Sequence, residues 1–379
     1  MNTTPKKIIV TGCTGQTGSY MVDYLLKNTD HDIYGAIRRL SVENHRNIDH
    51  IKKNPRFKLI EMDLCDSESI ECSIREIKPD YYINFAANSF VGTSWKLPVN
   101  HFQSNTMAVL HQLEAIRKHA PHCRYYNSGS SEEFGDIIYT PQDENHPLRP
   151  RSPYGASKAS SRHIVKVWRE SYNLYAIQGQ LFNHESSRRG FEFVTRKITL
   201  AVSNMVKEGK SGLPITPLVL GNLDAKRDWS HAADFVRGIW MMMNQEKYNK
   251  NFPIIIGGLS EEQEREFVYV KNIKEYVLAS GESHTIREFV EACFKFAEIN
   301  IVDVNPQRVA PATDANGLQA NYCFESSGEP AVLVSREFYR PADVETLLGN
   351  SSLIRKELGW KPNYSFNDLV AEMMMSDLL

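Results

Sequence analysis

Tyr154 and Lys158 are the side chains whose types and spacing most directly suggest chemistry in this sequence. They lie four residues apart, so a helix would place them on one face, one turn apart. A lysine ammonium beside a phenol favours the phenolate, which makes the tyrosine a usable base near neutral pH. Such a pair could remove a hydroxyl proton while a nicotinamide accepts hydride from the same carbon. Many pairs of this spacing lie on solvated helix faces, so this pair needs support from other residues.

A second cluster, Ser130, Ser131 and Glu132, closes a predicted strand upstream of this pair. The Ser130 hydroxyl could hydrogen-bond the substrate oxygen that Tyr154 deprotonates, and Glu132 could act on a neighbouring carbon. A simple alcohol oxidation needs no such carboxylate, so Glu132 is the residue that could separate a dehydratase from a dehydrogenase. In the alternative interpretation, the two serines are turn or cap residues and Glu132 is a surface carboxylate.

The elements that must position these residues alternate between strand and helix in the first half of the chain. Near-continuous apolar runs predict strands at Lys7–Thr11, His31–Ile37, Lys58–Met62, Tyr81–Ala86, Arg124–Ser128 and Tyr175–Leu181. Helical spacing is found at Tyr20–Lys27, Ser67–Ile77, Asn105–His119 and Tyr154–Tyr172. The alternation predicts an α/β fold with a doubly wound, parallel, Rossmann-type sheet.

The alternation ends near residue 185, which predicts a second, smaller and discontinuous α/β domain. We expect the Rossmann domain to comprise residues 1–185 and 225–281, and the second domain residues 186–224 and 282–379. Lys207–Pro217 is predicted to be loop-like. The segment Asn244–Lys274 is charged and ambiguous, and its Ser260–Glu266 run is interpreted as a solvated insertion rather than a binding site.

Bulk composition limits the classes of function. The chain has 379 residues, 41% of them hydrophobic, and 44 basic against 46 acidic residues, so we expect a large core and no nucleic-acid binding. No run approaches the roughly 20 apolar residues of a membrane helix, and no signal-peptide pattern begins the sequence. The six cysteines form no Cys-x-x-Cys pair and the histidines have no ligand spacing. A reduced cytoplasmic protein without a metal site or membrane association is expected.

A glycine-rich turn between the first strand and helix predicts a dinucleotide site. Glycines let the backbone approach a pyrophosphate, and the helix N-terminus stabilises its charge. The predicted contacts are Gly12, Thr14, Gly15, Gln16, Thr17 and Gly18.

Arg38 and Arg39 follow the second strand, where an NAD site would place a carboxylate about twenty residues beyond the glycines. Guanidinium groups suit a 2′-phosphate, so the pair predicts NADP. The alternative is that one arginine is simply solvated. Topology alone places Asp63 and Leu64 near the adenine, and Ala86 and Ala87 near the nicotinamide ribose.

Together, the glycine turn, Ser-Ser-Glu and Tyr-x-x-x-Lys resemble the dehydratase branch of the extended short-chain dehydrogenase/reductases. Longer runs resemble the GDP-mannose 4,6-dehydratase family, and the resemblance covers nearly the whole chain. These runs are Leu181–Ser186, Arg188–Gly190, Phe193–Ile198, Leu220–Trp229, Phe338–Gly349 and Leu358–Pro362.

The resemblance implies a three-step reaction on a GDP-sugar. Tyr154 would deprotonate the sugar 4-hydroxyl, with Lys158 lowering its pKa, while hydride passes from C4 to NADP. Glu132 would then remove the C5 proton and assist loss of water from C6. The stored hydride would return to C6, which gives GDP-4-keto-6-deoxy-mannose.

The resemblance also implies binding residues and assembly. His184 and Arg189 would contact the cofactor, and the chain would form a homo-oligomer, either a dimer or a tetramer. The residues expected to hold the GDP-sugar are Ser89, Asn183, Val194, Lys197, Arg227, Arg340 and Asp343.

Several positions depart from the family pattern. Ser130 replaces Thr, Asn88-Ser89-Phe90 replaces Gln-Ser-His, Asp343 replaces Glu, Ser230 replaces Gly, and Asn244–Lys274 is longer. These departures leave open a related substrate such as GDP-manno-heptose. A nucleotide-sugar reductase or epimerase is a further alternative, although a reductase needs no carboxylate such as Glu132.

Overall fold

A computed structural model describes residues 4–249, 270, 272–305, 317–338 and 346–379 of the chain. Its strands are β1 (Lys7–Thr11), β2 (Asp32–Ile37), β3 (Phe57–Glu61), β4 (Tyr81–Asn84), β5 (Arg124–Ser128), β6 (Ala176–Leu181), β7 (Asn183–Glu185), β8 (Leu218–Leu220), β9 (Lys226–Arg227), β10 (Trp229–His231), β11 (Val277–Leu278), β12 (His284–Thr285), β13 (Ile301–Asp303), β14 (Leu318–Phe324) and β15 (Pro330–Ser335).

The helices are α1 (Gln16–Asn28), α2 (Ser67–Ile77), α3 (Pro98–Phe102), α4 (Ala108–His119), α5 (Pro153–Tyr172), α6 (Val194–Lys210), α7 (Ala232–Met243), α8 (Gln245–Tyr248), α9 (Ile286–Phe296), α10 (Ser352–Leu358) and α11 (Phe366–Leu378). A π-helical segment, Gln103–Met107, joins α3 to α4. Among the described helices, none is long and apolar enough to cross a bilayer.

The largest sheet has seven parallel strands in the order β11-β6-β5-β4-β1-β2-β3. The chain starts at β1 in the middle and winds outward in both directions, which confirms the predicted doubly wound fold. Helices α1 and α7 pack against each other on one side, while α2, α4 and α5 form a packed group on the other. The carboxyl ends of β1 and β4 meet where the winding reverses, which is where such sheets bind ligands.

A smaller sheet, in the order β13-β14-β15-β8, lies in the later part of the chain. A separate hydrophobic cluster joins it to α6, α9 and α11 through residues such as Val202, Phe289 and Met373. The domain boundaries given above stay a prediction.

The structure corrects several predicted bounds. The segment Lys207–Pro217 is not wholly loop-like, because α6 continues to Lys210. Its buried stripe includes Ile198, Val202 and Met205, which are three or four residues apart and pack into the smaller core. The strand expected to end at Ala86 ends at Asn84, whose side chain hydrogen-bonds within the sheet. Most of the Asn244–Lys274 insertion lies outside the described residues.

Candidate active site

One cavity of about 1290 Å³ opens at the carboxyl ends of the central strands, and its lining includes Leu220 and Phe338 next to the smaller sheet. It is larger than the roughly 300–1,000 Å³ of a typical small-molecule pocket, which gives room for two ligands side by side. Arg340 and Asp343 lie outside the described residues. The other predicted site residues all line this cavity, namely Gly12, Thr14, Gly15, Gln16, Thr17, Gly18, Arg38, Arg39, Asp63, Leu64, Ala86, Ala87, Ser89, Ser130, Glu132, Tyr154, Lys158, Asn183, His184, Arg189, Val194, Lys197 and Arg227.

The glycine turn forms a cradle at the start of α1. The Gly15 N–H donates to the Gly12 carbonyl at 3.0 Å, and the first turn of α1 carries no acidic residue. A Cβ atom on Gly18 would lie only 2.2 Å from the Gly12 carbonyl oxygen, so the turn can pack this closely only on glycine. A helix N-terminus with bare backbone and no competing carboxylate fits a pyrophosphate.

His184, in β7, is joined by hydrogen bonds to the first turn of α1, which follows the glycine turn. Its Nδ1 donates to the Phe182 carbonyl at 3.0 Å, so its Nε2 accepts the Thr17 hydroxyl at 2.9 Å. The backbone carbonyl of His184 also accepts from Gln16 Nε2 at 2.8 Å. Burial lowers the pKa of His184 to about 4, so the ring is neutral at physiological pH. His184 therefore orients the cradle without adding charge, and its contact with a cofactor stays a prediction.

Arg38 and Arg39 lie at the edge of the cavity where β2 ends. Both are exposed, and the Met62 N–H donates to the Ile37 carbonyl at 2.9 Å, which joins the ends of β2 and β3. Asp63 follows at this edge, where its carboxylate accepts the Cys65 N–H at 2.9 Å. The edge therefore carries the two guanidinium groups that were expected to face a 2′-phosphate.

The segment after β5 turns Ser130 and Glu132 into the cavity. Ser131–Glu133 forms one turn of 3-10 helix, and the Ser130 hydroxyl oxygen accepts the Glu132 N–H at 3.2 Å. Glu133 completes a capping box by accepting the Ser130 N–H at 2.7 Å. Ser130 is thus a cap residue and a cavity residue at once, so the two interpretations of the cluster are not exclusive.

Helix α5 presents Tyr154 and Lys158 to the same cavity. Ser152 caps the helix, because its hydroxyl oxygen accepts the Gly155 N–H at 3.0 Å, and Pro153 occupies the first turn. Tyr154 is only 7% exposed. The Lys158 Nζ donates to the Ser128 carbonyl at 2.8 Å, which ties α5 to the end of β5.

The electrostatics of Tyr154 differ from the prediction. Burial is the main reason that the pKa of Tyr154 is raised to about 12, and the negative charge of Glu132 acts in the same direction. The Ser130 hydroxyl has the opposite effect and lowers the pKa. The Lys158 ammonium contacts a backbone carbonyl in this structure, and the expected lowering of the Tyr154 pKa by Lys158 stays a prediction. Burial also lowers the pKa of Lys158, to about 8.

Cationic side chains and aromatic rings line the side of the cavity nearer the smaller sheet. The Lys197 Nζ lies 4.0 Å from the centre of the Phe338 ring. The Arg189 guanidinium lies 3.5 Å above the Phe193 ring, and its Nε is 2.9 Å from the Glu185 carboxylate. These contacts hold two positive groups at a cavity wall, where they could meet a diphosphate.

Arg227 and Asn183, two further polar residues of this wall, differ in their hydrogen bonding. Arg227 is 8% exposed and donates to the Lys226 carbonyl at 2.8 Å. The buried side-chain oxygen of Asn183 accepts no hydrogen bond from the described residues. An unsatisfied buried acceptor beside a cavity suggests that a ligand group completes it. Ser89 and Val194 also line the cavity.

A sequence profile described as GDP-mannose 4,6 dehydratase matches residues 9–273 and 261–373. The chain belongs to the GDP-mannose 4,6-dehydratase family. The GDP-mannose 4,6 dehydratase of Drosophila melanogaster is 36% identical over 381 residues, 98% of this chain and 86% of that protein. That of Homo sapiens is 35% identical over 378 residues, 98% of this chain and 91% of that one.

Solved structures share the fold of this GDP-mannose 4,6-dehydratase family member. A dTDP-glucose 4,6-dehydratase from Bacillus anthracis in complex with NAD has a TM-score of 0.71 and 20% identity, covering 98% of this chain and 96% of that one. A UDP-glucose 4-epimerase from Thermus thermophilus, complexed with NAD, has a TM-score of 0.70 and 21% identity, covering 98% of each chain. At these identities the likeness concerns the fold alone.

The family resemblance did not predict every residue of this site. Phe193 and Phe338 contact the cations, and the Phe90 ring lies 5.8 Å from that of Phe193 in an edge-to-face arrangement. No periodic signal marks these rings, since they come from separate segments. The sequence motifs also gave no role to Glu133, which lies buried behind the cavity and accepts the Ser130 N–H at 2.7 Å.

Proposed function

We propose that the protein catalyses the 4,6-dehydration of GDP-mannose to GDP-4-keto-6-deoxy-mannose. The observation that carries the proposal is the placement of Glu132 and Tyr154 in one cavity, close enough that the charge of Glu132 raises the pKa of Tyr154. An oxidation needs only the tyrosine, whereas an elimination needs a second base. Relatives at 35–36% identity over nearly the whole chain bear the name of this activity.

NADP is the dinucleotide that best suits the cavity. The cradle at the start of α1 would hold the pyrophosphate, and Arg38 and Arg39 would meet the 2′-phosphate. When bound, the dinucleotide supplies a hydride acceptor for the oxidation and a hydride donor for the final reduction. The related structures carry NAD, so the choice of NADP depends on the two arginines.

Tyr154 would accept the proton of the sugar 4-hydroxyl, while the Ser130 hydroxyl holds the same oxygen. Ser130 lowers the pKa of Tyr154, and the Arg189 guanidinium lowers it as well. Lys158 adds a positive charge one helical turn away. These three groups oppose the effect of burial and would stabilise the phenolate as it forms.

Glu132 would act on the carbon beside the new ketone. A 4-ketone acidifies the C5 proton, so a carboxylate can remove it. The same carboxyl group, now protonated, can donate to the C6 hydroxyl as it leaves as water. C5 must regain a proton when C6 is reduced, and Glu132 would deliver it after taking up a proton from solvent. The half-buried position of Glu132 at the cavity wall suits a group that must exchange protons with substrate.

Lys197 and Arg227 would bind the diphosphate of the substrate, because both line the side of the cavity that faces the smaller sheet. Arg340 and Asp343 are further candidates on the basis of the family resemblance. We also propose that the molecule acts as a homo-oligomer in the cytoplasm.

A related GDP-sugar is a second candidate substrate. Phe90 replaces the usual histidine of the family and packs against Phe193 at the cavity wall. An apolar wall changes what the sugar contacts and favours testing GDP-manno-heptose in parallel.

The test is to incubate the purified protein with NADP and each of the two sugars, and to measure keto-sugar formation by mass spectrometry. We expect GDP-mannose to lose 18 mass units without net change in NADPH. Preferred turnover of GDP-manno-heptose would assign that sugar as the substrate. Net consumption of added NADPH would favour a reductase. No turnover of either sugar would exclude the dehydratase proposal.

A further inference from the structure

Glu133 is a fully buried carboxylate directly behind the catalytic turn. Its Oε1 accepts two hydrogen bonds, from the Ser130 N–H at 2.7 Å and from Gln178 Nε2 at 3.0 Å. Its Oε2 makes no hydrogen bond with the described residues, and the Arg162 guanidinium lies 3.9 Å away. None of the steps proposed for the reaction uses this group.

Glu133 stands at one end of a line of buried hydrogen bonds that crosses four neighbouring strands. Asn127 Nδ2 donates to Gln178 Oε1 at 2.6 Å, and Asn84 Nδ2 donates to Asn127 Oδ1 at 2.8 Å. The Thr11 hydroxyl donates to Asn84 Oδ1 at 2.6 Å. The line therefore joins the strand that leads into the cofactor cradle to the turn that carries Ser130 and Glu132.

Charged and titratable groups surround Glu133 from several elements. Burial raises its pKa to about 7, which the charges of Arg162 and Lys158 on α5 oppose. Burial lowers the pKa of Lys158, and the negative charge of Glu133 raises it. Glu133 also raises the pKa of Tyr154 on α5 and of Tyr126 on β5, although burial is the main cause for both. Arg162 also pairs with the Glu275 carboxylate at 3.0 Å.

A purely structural cap would not require a charge at this position. A glutamine could accept the same two hydrogen bonds, and it would avoid the desolvation of a carboxylate, which is expensive inside a protein. Groups that are unfavourable for stability and are nevertheless present tend to serve function. The charge itself therefore needs an explanation. Lys158 is a cavity-lining cation linked to it, because Gln178 Nε2 donates both to the Glu133 carboxylate and to the Lys158 carbonyl, each at 3.0 Å.

We propose that Glu133 is a positioning residue for the dehydration, an inference that rests on the function proposed above: its buried carboxylate fixes the Ser130 turn and keeps the ammonium charge on Lys158. The hydrogen bond to the Ser130 N–H performs the first task. The negative charge performs the second, because it favours the protonated lysine in a site where burial disfavours it. Without that charge, Lys158 would lose its proton at a lower pH.

The variant Glu133→Gln separates the two tasks, since the amide oxygen can still accept both hydrogen bonds. We expect the alkaline limb of the kcat profile to move toward acid by about one pH unit, and kcat at pH 8 to fall several-fold with little change in KM. Glu144→Gln is the matched control. Glu144 is also partly buried and accepts a backbone N–H, that of Val277 at 2.8 Å, but it lies outside the cavity. Its profile should match that of the wild type.

Protonation of Lys158 can also be followed without turnover. Limited acetylation at a series of pH values, quantified by mass spectrometry of the peptide that contains Lys158, should give a lower midpoint in Glu133→Gln than in the wild type.

Thermal unfolding tests whether the Glu133→Gln variant folds and how its stability depends on pH. The pKa of Glu133 is raised in the folded state, so its contribution to stability is present at low pH and is lost as the pH rises through about 7. The Tm of the variant relative to wild type should therefore increase from pH 5 to pH 8.

The outcomes distinguish this inference from the proposed function. A wild type that does not turn over GDP-mannose, with a shifted acetylation midpoint in the variant, would reject the function while the coupling of Glu133 to Lys158 stands. An active wild type and a variant with unchanged midpoint and unchanged alkaline limb would overturn the role of Glu133.

Discussion

Gly155 packs directly on the carbonyl oxygen of Glu132, so that a Cβ atom on residue 155 would lie 2.5 Å from that oxygen. The first turn of α5 thus rests against the turn that follows β5. The contact fixes the spacing between Tyr154, which precedes Gly155, and Glu132. The two bases of the proposed reaction are therefore held by backbone packing, which is stiffer than side-chain contact alone.

Replacement of Gly155 by Ala should impair catalysis more than folding. The new methyl group must displace backbone, at a cost of about 1–3 kcal/mol in stability, and it would move Glu132 away from Tyr154. We expect kcat to fall at least tenfold, as measured by keto-sugar formation. Gly209→Ala in α6 is the control, because the added Cβ would meet no atom within 4 Å. Equal activity of Gly155→Ala and wild type would show that this packing does not set the geometry.

Replacement of Tyr154 by Phe should abolish the first step. The change removes the phenolic oxygen, which as phenolate accepts the substrate proton, and leaves the packing of the ring intact, so we expect kcat to fall by about 10²–10⁴-fold. Calorimetric titration with GDP-mannose should show binding close to that of the wild type. Rapid turnover by the variant would assign the base to another residue.

Activity should decrease as the pH rises above about 8. Burial lowers the pKa of Lys158 to about 8, so the side chain carries its positive charge below that pH and loses it above. A profile of kcat/KM between pH 6 and pH 10 should therefore show an alkaline limb. Lys158→Arg, whose guanidinium keeps its charge throughout this range, should lack that limb even if its activity is lower. A limb that persists unchanged in the arginine variant would exclude Lys158 as its source.

The choice between NADP and NAD can be tested at the end of β2. Replacing both Arg38 and Arg39 by Ala should weaken NADP binding at least tenfold and change NAD binding little, since only NADP carries the 2′-phosphate. Fluorescence titration gives the dissociation constants of NADP and of NAD for each variant. Arg75→Ala on α2, outside the cavity, serves as the control for a lost surface charge. If the double variant bound NADP and NAD more weakly by the same factor, the assignment of Arg38 and Arg39 to the 2′-phosphate would be contradicted.

Local sequence signals were sufficient for much of the fold. Helix α2 and strand β5 have the predicted bounds. In α2 this accuracy has a local cause, because Asp66 caps the first turn and Lys78 ends the helix in a left-handed conformation. Helix α6 was not predicted, because its apolar face packs against elements distant in the sequence, such as α9 and α11.

The candidate site shows the same division between local and long-range causes. Motifs next to strand ends were enough to predict Ser130, Glu132 and Tyr154 as neighbours, since parallel strands bring their carboxyl ends together. The direction of the Tyr154 pKa could not be predicted, because it depends on burial by the whole fold. The contacts of Arg189 with Phe193 and of Lys197 with Phe338 likewise arise only in the folded chain.

Replacement of Glu132 by Gln addresses the step that defines a dehydratase. The amide cannot remove the C5 proton, so oxidation at C4 should continue while elimination stalls and the 4-keto-mannose derivative accumulates. Glu337→Gln, at another carboxylate of the cavity wall, is the control and should behave as the wild type.

The most direct measurement is turnover of GDP-mannose in deuterium oxide, with deuterium at C5 quantified by NMR. Wild-type product should carry one deuterium at C5, and Glu132→Gln should form almost no dehydrated product and incorporate little label. Full dehydration with full labelling by the Glu132→Gln variant would contradict the assignment of Glu132 as the C5 base.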